Sequence, residues 1–157
     1  PQNPKTPSID DFKFENERKH RPSDAQVIPR PLGVITQCVF SPNLKQIISS
    51  SMDGVVLATS LKANARANKF IGHKGPVYDV SINHTNTLIA SCSRDNTIRI
   101  WNNNASAKSV TIKGHSAPVK SCQFNADGRM LVSASDDKLV KMWSVKDAMA
   151  GKGQSFL

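Results

Sequence analysis

Residues 72–101 read GHKGPVYDVSINHTNTLIASCSRDNTIRIW, and residues 114–143 read GHSAPVKSCQFNADGRMLVSASDDKLVKMW. Laid over one another at an offset of 42 residues, without gaps, they align Gly72-His73 with Gly114-His115 and Trp101 with Trp143. The offset also extends backwards. Ser-Met-Asp ending at Asp53 matches Ser-Arg-Asp ending at Asp95 and Ser-Asp-Asp ending at Asp137. Phe40, Ile82 and Phe124 coincide, as do Ile47, Ile89 and Leu131, and Val56, Ile98 and Val140. Inside the second copy, Val77, Val80 and Ile82 run into the polar turn 83–87, and Leu88 to Cys92 runs into Arg94-Asp95-Asn96. Thr97 to Trp101 then alternates with period two. Short β-branched runs punctuated by Asn, Asp and Gly form an antiparallel meander. Lys69 to Ile71 and Val110 to Ile112 supply a fourth strand ahead of each Gly-His. A period of this length, with four strands per copy, points to an all-β chain of propeller blades.

The combination of Gly-His, an alternating strand, a small-residue strand, a turn Asp and a Trp resembles the WD40 family over residues 30–157. The resemblance implies three four-stranded antiparallel blades, repeats of about 30–71, 72–113 and 114–157, from a ring of seven. It also implies a hydrogen-bonded relay in each full repeat. That relay is His73, Ser91, Asp95 and Trp101 in one blade and His115, Ser133, Asp137 and Trp143 in the next. Ser93 and Ser135 lie two residues further along and are alternatives for the hydroxyl. Such a relay satisfies groups that would cost about 1–3 kcal/mol each if buried unpaired. Small residues at 90–92 and 133–135 suit a strand packed tightly between blades.

The first copy departs from the pattern, with Arg30-Pro31 in place of Gly-His and Thr59 in place of Trp. It is expected to be a degenerate blade of strands 34–40, 46–51 and 55–60. A closed ring needs about four to eight blades. Three blades are therefore expected to be an incomplete stretch of a longer protein, with completion by another chain as the other possibility. Residues 154–157 fall where the outer strand of the third blade should begin. Residues 1–29 form an extended, Pro-rich arm with five basic and five acidic residues. Such a segment buries too little apolar surface to order alone. Its Ile9, Phe12 and Phe14 are candidate contacts for a neighbouring protein.

Ser, His and Asp together invite a hydrolase reading. A trio that recurs in each repeat behaves as a structural device, and no Gly-x-Ser-x-Gly elbow exposes a nucleophile. No enzyme activity is expected, and no cofactor. From residue 30 onward there are sixteen basic residues against seven acidic ones, which accounts for the net charge of +9. That surface favours acidic partners. The basic positions are scattered and aromatics are few, so nucleic acid is possible but not favoured. Three cysteines, Cys38, Cys92 and Cys122, are expected to be free, buried and packed as small hydrophobes. No spacing suggests a metal site, and no membrane-spanning run appears.

FSPNLKQIISSSMDG at 40–54, with KFIGHKGPVYDVSI and SRDNTIRIW, is similar to the opening blades of the proteome-of-centriole WD40 proteins. Arg30-Pro31 stands where that group keeps Gly-His. The resemblance implies a non-catalytic scaffold of centriole, basal-body or axonemal microtubules, in cytoplasm and cytoskeleton. Tubulin or microtubule-associated proteins would be its partners. The alternatives are a subunit of a nuclear or ribonucleoprotein assembly and a ubiquitin-ligase substrate adaptor. Family usage places partner contacts at Met52, Arg94 and Asp136, which precede the turn Asp. It also places them at Thr36, Tyr78 and Lys120, near the start of the innermost strand.

Overall fold

The computed structural model describes residues 33–62, 66–104 and 109–152. The first blade is the meander β1 (Ile35–Phe40), β2 (Gln46–Ser51), β3 (Val55–Ser60) and β4 (Asn68–Ile71). The second is β5 (Val77–Ile82), β6 (Leu88–Ser93), β7 (Thr97–Asn102) and β8 (Ser109–Lys113). The third comprises β9 (Val119–Phe124), β10 (Met130–Ser135) and β11 (Val140–Ser144), followed by a short helix α1 (Val145–Met149). All pairings within the blades are antiparallel. The all-β fold of blades is as the repeat implies, although the third blade shows three strands among the described residues. Helix α1, capped by the Ser144 hydroxyl on the Asp147 N–H, follows β11 directly. The expectation for residues 154–157 lies outside the described residues, as does the N-terminal arm.

Register repeats with the sequence: Phe40 faces Ile47, Ile82 faces Ile89, and Phe124 faces Leu131. The turns repeat as well. Leu44, Asn86 and Gly128 take φ of 54°, 61° and 70° between the first and second strands. Gly54, Asn96 and Lys138 take 85°, 65° and 69° between the second and third. Four residue types thus share one left-handed conformation, which Gly and Asn tolerate and in which Leu44 and Lys138 are strained.

The core sits between the blades. Ile48, Val56, Ala58 and Phe70 form one cluster with Val77, Val80, Ile89 and Trp101. Ala90, Ile98, Ile100 and Ile112 join Val119, Cys122, Leu131 and Trp143 in a second, which Val145 and Ala148 of α1 close. The tight seams explain the small residues of β6: Ala90, Ser91, Cys92 and Ser93 are all fully buried.

At either end of the stack the equivalent positions are open. Phe40 is 63% exposed whereas Phe124, its counterpart inside the stack, is 8% exposed. Val140 is likewise exposed, whereas Val56 and Ile98 are buried. This corrects one expectation: Cys92 and Cys122 are buried, but Cys38 is exposed because no described element covers its face of β1. The Cys122 thiol is held well above its ordinary pKa, first by its hydrogen bond with Cys92 and then by burial.

Leu44 is exposed, so its strained φ is not compensated by burial. Leu44→Asn, which copies Asn86 one blade on, should raise stability by about 1 kcal/mol. A urea titration checks this, and an unchanged or lower midpoint contradicts the strain reading.

Candidate functional site

The two complete relays superpose nearly bond for bond. In the second blade the Trp101 indole N–H donates to Ser91 Oγ at 2.8 Å, and Ser91 Oγ lies 2.8 Å from His73 Nε2. His73 Nδ1 lies 2.9 Å from Asp95 Oδ2. In the third blade the corresponding distances are 2.8 Å for Trp143 to Ser133, 2.8 Å for Ser133 to His115 and 2.7 Å for His115 to Asp137. Of the alternative hydroxyls, Ser91 and Ser133 occupy the relay. Ser93 and Ser135 turn away to donate to backbone carbonyls of Gly75, Ala117 and Pro118.

The direction of the chain follows from its donors. An indole N–H can only donate, so the serine oxygen accepts and its own proton goes to His Nε2. The imidazole is then neutral with its proton on Nδ1, donated to the carboxylate. Burial lowers His73 below its usual 6.5 despite the neighbouring Asp95. Burial alone would raise the Asp95 carboxyl. The Thr97 hydroxyl, the Lys74 N–H and His73 outweigh burial and hold it at about 2. Asp137 is held at about 2 by His115 and the N–H groups of Ser116 and Leu139, again against burial. Thr97, which donates to Asp95 Oδ1 at 2.6 Å, was not legible as a member because Leu139 replaces it in the next blade.

Each tryptophan crowds the glycine before its histidine, with Arg99 Nη1 closer still to a Cβ at Gly72, at 2.6 Å. A Cβ on Gly114 would lie 2.5 Å from Trp143 Cη2, and one on Gly72 would lie 3.1 Å from Trp101 Cη2. The relay serine is fully buried and already bonded on both sides, so no substrate reaches it. The arrangement serves as a buried strut between strands and turn.

The partner-binding candidates lie at one end of the blades. A β-bulge in each innermost strand leaves Thr36, Tyr78 and Lys120 as the extra residues. A bulge leaves its extra residue out of the ladder and re-aims that side chain. Backbone bonds of 2.9 Å from Met52 to Val34, from Arg94 to Pro76 and from Asp136 to Pro118 bring the turn residues beside these strand starts. Lys120 Nζ lies 4.3 Å from the centroid of the Tyr78 ring and 3.3 Å from Asp136 Oδ2, so three candidates form one contact line. Arg94 is exposed, and its guanidinium makes no hydrogen bond or ion pair among the described residues. Met52 is exposed as well. Thr36 is turned inward: its hydroxyl donates to the Val77 carbonyl at 2.7 Å and lies 2.8 Å from Ser50 Oγ. Ile9, Phe12 and Phe14 lie outside the described residues.

Asp79 is a residue that the repeat pattern did not flag. Its Oδ2 accepts from Ser121 Oγ at 2.7 Å and from the Cys122 N–H at 3.1 Å, tying the second blade to the third. Its one visible signal is a carboxylate within an alternating strand. No group of His, Cys, Asp or Glu among the described residues is arranged to hold a metal ion.

The family model described as "WD domain, G-beta repeat" matches residues 27–57, 65–102 and 107–144. No curated protein matches the chain. A solved chain described as "Structure of U3-55K" superposes with a TM-score of 0.72 at 24% identity, covering 77% of this chain and 39% of that one. "Crystal structure of RRP9 WD40 repeats" superposes with a TM-score of 0.72 at 25% identity, covering 77% and 38%. The chain therefore spans about two fifths of the length of either. Since 1114 solved chains match, likeness of fold does not single out a partner.

Two predictions follow from the relay. Ser133→Ala removes a partner from both Trp143 and His115 and should destabilise by about 1–3 kcal/mol. A loss below half a kcal/mol in urea unfolding would show that the strut is dispensable. Acid should act on the relays in two stages, because His73, Asp95 and Asp137 are all depressed in the folded state. Stability is complete above the usual His value of 6.5 and falls below it as the unfolded imidazole takes its proton first. It falls again from 3.8 towards about 2 as the Asp95 and Asp137 carboxylates protonate. A urea midpoint that stays flat from neutrality to acid would contradict this.

Proposed function

We propose, for a chain that belongs to the WD40 repeat family, a non-catalytic scaffold that holds a partner protein where the innermost strands begin. The observation that carries the reading is the row of bulged residues Tyr78 and Lys120, tied to the turn residues Arg94 and Asp136. Arg and Tyr are the residue types that dominate interface energetics. Arg94 presents an uncommitted cation, and Tyr78 presents a ring held in place by Lys120.

The open faces at Phe40 and Val140 match faces that are buried between blades inside the stack, which supports a larger ring of which these blades are part. Seven blades is the number the family resemblance favours. For the assembly, the finer reading is centriolar or axonemal microtubules. The strings at 40–54 and 69–101 and a basic surface suited to acidic tubulin support it. An RNA-containing assembly is the second reading, favoured by a separate feature at the seam between the first two blades.

Arg94→Glu should weaken partner capture by about 2 kcal/mol, the cost typical of a hot-spot residue, with Tyr78→Ala close behind. Microtubule co-sedimentation of the whole protein, with and without these changes, is the direct test. Binding that vanishes on nuclease treatment, and is indifferent to Arg94, would overturn the microtubule reading.

A further inference from the structure

The two seams between blades are built alike except at one pair of positions. At the offset of 42 residues, Gln46 and Asn103 of the first seam correspond to Leu88 and Val145 of the second. Leu88 packs against the apolar cluster that contains Val145. Asn103 instead donates through Nδ2 to Gln46 Oε1 at 2.8 Å and to the Asn86 carbonyl at 2.9 Å. Both positions are buried alike, Asn103 at 4% exposure and Val145 at 6%. Asn103 Oδ1 is buried with no partner among the described residues. An amide pair here forgoes apolar transfer energy and leaves an acceptor unsatisfied. The second seam demonstrates that the fold does not require it.

Next to this pair lies a cavity of about 370 Å³ between the blades. Lys45 and Lys62 bring positive charge to it, and Asn43, Thr85, Asn86 and Asn104 bring amides and hydroxyls. Neither a carboxylate nor an aromatic ring is among the lining residues described. Asn86 is fixed by its left-handed backbone and accepts from the Asn43 N–H at 3.3 Å, so the wall is held across both blades. In the second seam the position of Thr85 passes to Asp127, which would repel an anion.

We propose that this cavity binds a sugar-phosphate segment of single-stranded RNA. Lysine ammonium groups, amides and hydroxyls are the donors that contact phosphate and sugar oxygens. Without an aromatic ring there is no stacking platform, so the backbone is held and the bases are not read. Asn103 lines the cavity beside the amides and hydroxyls of Asn43, Thr85, Asn86 and Asn104, a polar set to which ribose adds a 2′-hydroxyl able to donate or accept. An acidic protein tail would meet the lysines but find no apolar anchor. The basic surplus of the blades, sixteen against seven, extends the attraction for a polyanion beyond the cavity. The proposal stands independently of the protein-binding rim.

The test measures binding of a labelled oligouridylate of about 12 nucleotides to the whole chain by fluorescence anisotropy across a salt series. Replacing both lysines, Lys45→Gln with Lys62→Gln, should flatten the slope of log affinity against log salt by about 1.4, two single-strand phosphate contacts. Affinity should fall roughly tenfold. Gln46→Leu with Asn103→Val restores the apolar pair of the second seam. That variant should unfold at an equal or higher urea concentration and still lose roughly tenfold in RNA affinity, a split that a structural role does not produce. Should it fail to fold, the lysine variant alone decides. Unchanged affinity and slope in the variants overturns the proposal. So does equal binding of oligothymidylate, or a polyglutamate peptide that binds as tightly and responds to the same substitutions.

Discussion

The bond from an indole N–H to a buried serine hydroxyl, 2.8 Å long in both complete blades, organises most of what surrounds it. A tryptophan packed between sheets has one donor and no water to receive it. A hydroxyl on the neighbouring strand satisfies it only if the hydroxyl's own proton finds an acceptor, which is the imidazole Nε2. That choice places the ring proton on Nδ1 and calls for a carboxylate. The carboxylate then orders the turn through the N–H groups of Lys74 and Thr97 in one blade and of Ser116 and Leu139 in the other. The indole edge meanwhile excludes a Cβ at Gly114 and, together with the Arg99 guanidinium, crowds one at Gly72. Glycine, histidine, serine, aspartate and tryptophan are thus solutions to one satisfaction problem, which is why they recur together.

The first blade shows what survives without the tryptophan. Thr59 is buried in its place, Asp53 caps its turn through the Val55 N–H, and Oδ2 accepts from the Gly33 N–H at 3.3 Å. Strand register and left-handed turns persist. Packing from the second blade carries the seam instead, with Phe70 5.7 Å from Trp101, ring to ring. This blade, with the tryptophan strut absent from its own sheet, forms one wall of the polar cavity. A departure from the repeat and a candidate site share one seam.

Periodicity made the fold legible, because alternation and turn residues recur at a fixed offset and each blade solves the same local problem. The relay was legible through resemblance, except for which of two serines carries the hydroxyl; both lie on one strand face, and only the position of the indole separates them. The bulges were not readable, since an extra residue in one strand leaves alternation intact on either side of it. Cys38 misled because burial depends on whether another blade covers the face of β1 that carries it, a property of the neighbours and not of the strand. Gln46 and Asn103 were visible in the alignment of repeats as polar residues at apolar positions. Their meaning emerged only once the fold placed them, 57 residues apart, within hydrogen-bond distance.

The account rests on a neutral imidazole with its proton on Nδ1, held between a serine donor and a carboxylate acceptor. Nitrogen NMR of the His73 and His115 rings at neutral pH reports this directly. The account predicts a protonated Nδ1 and an unprotonated, hydrogen-bonded Nε2 in both. A proton on Nε2, or an imidazolium at either position, would leave the serine hydroxyl without its acceptor and contradict the relay as the organising interaction.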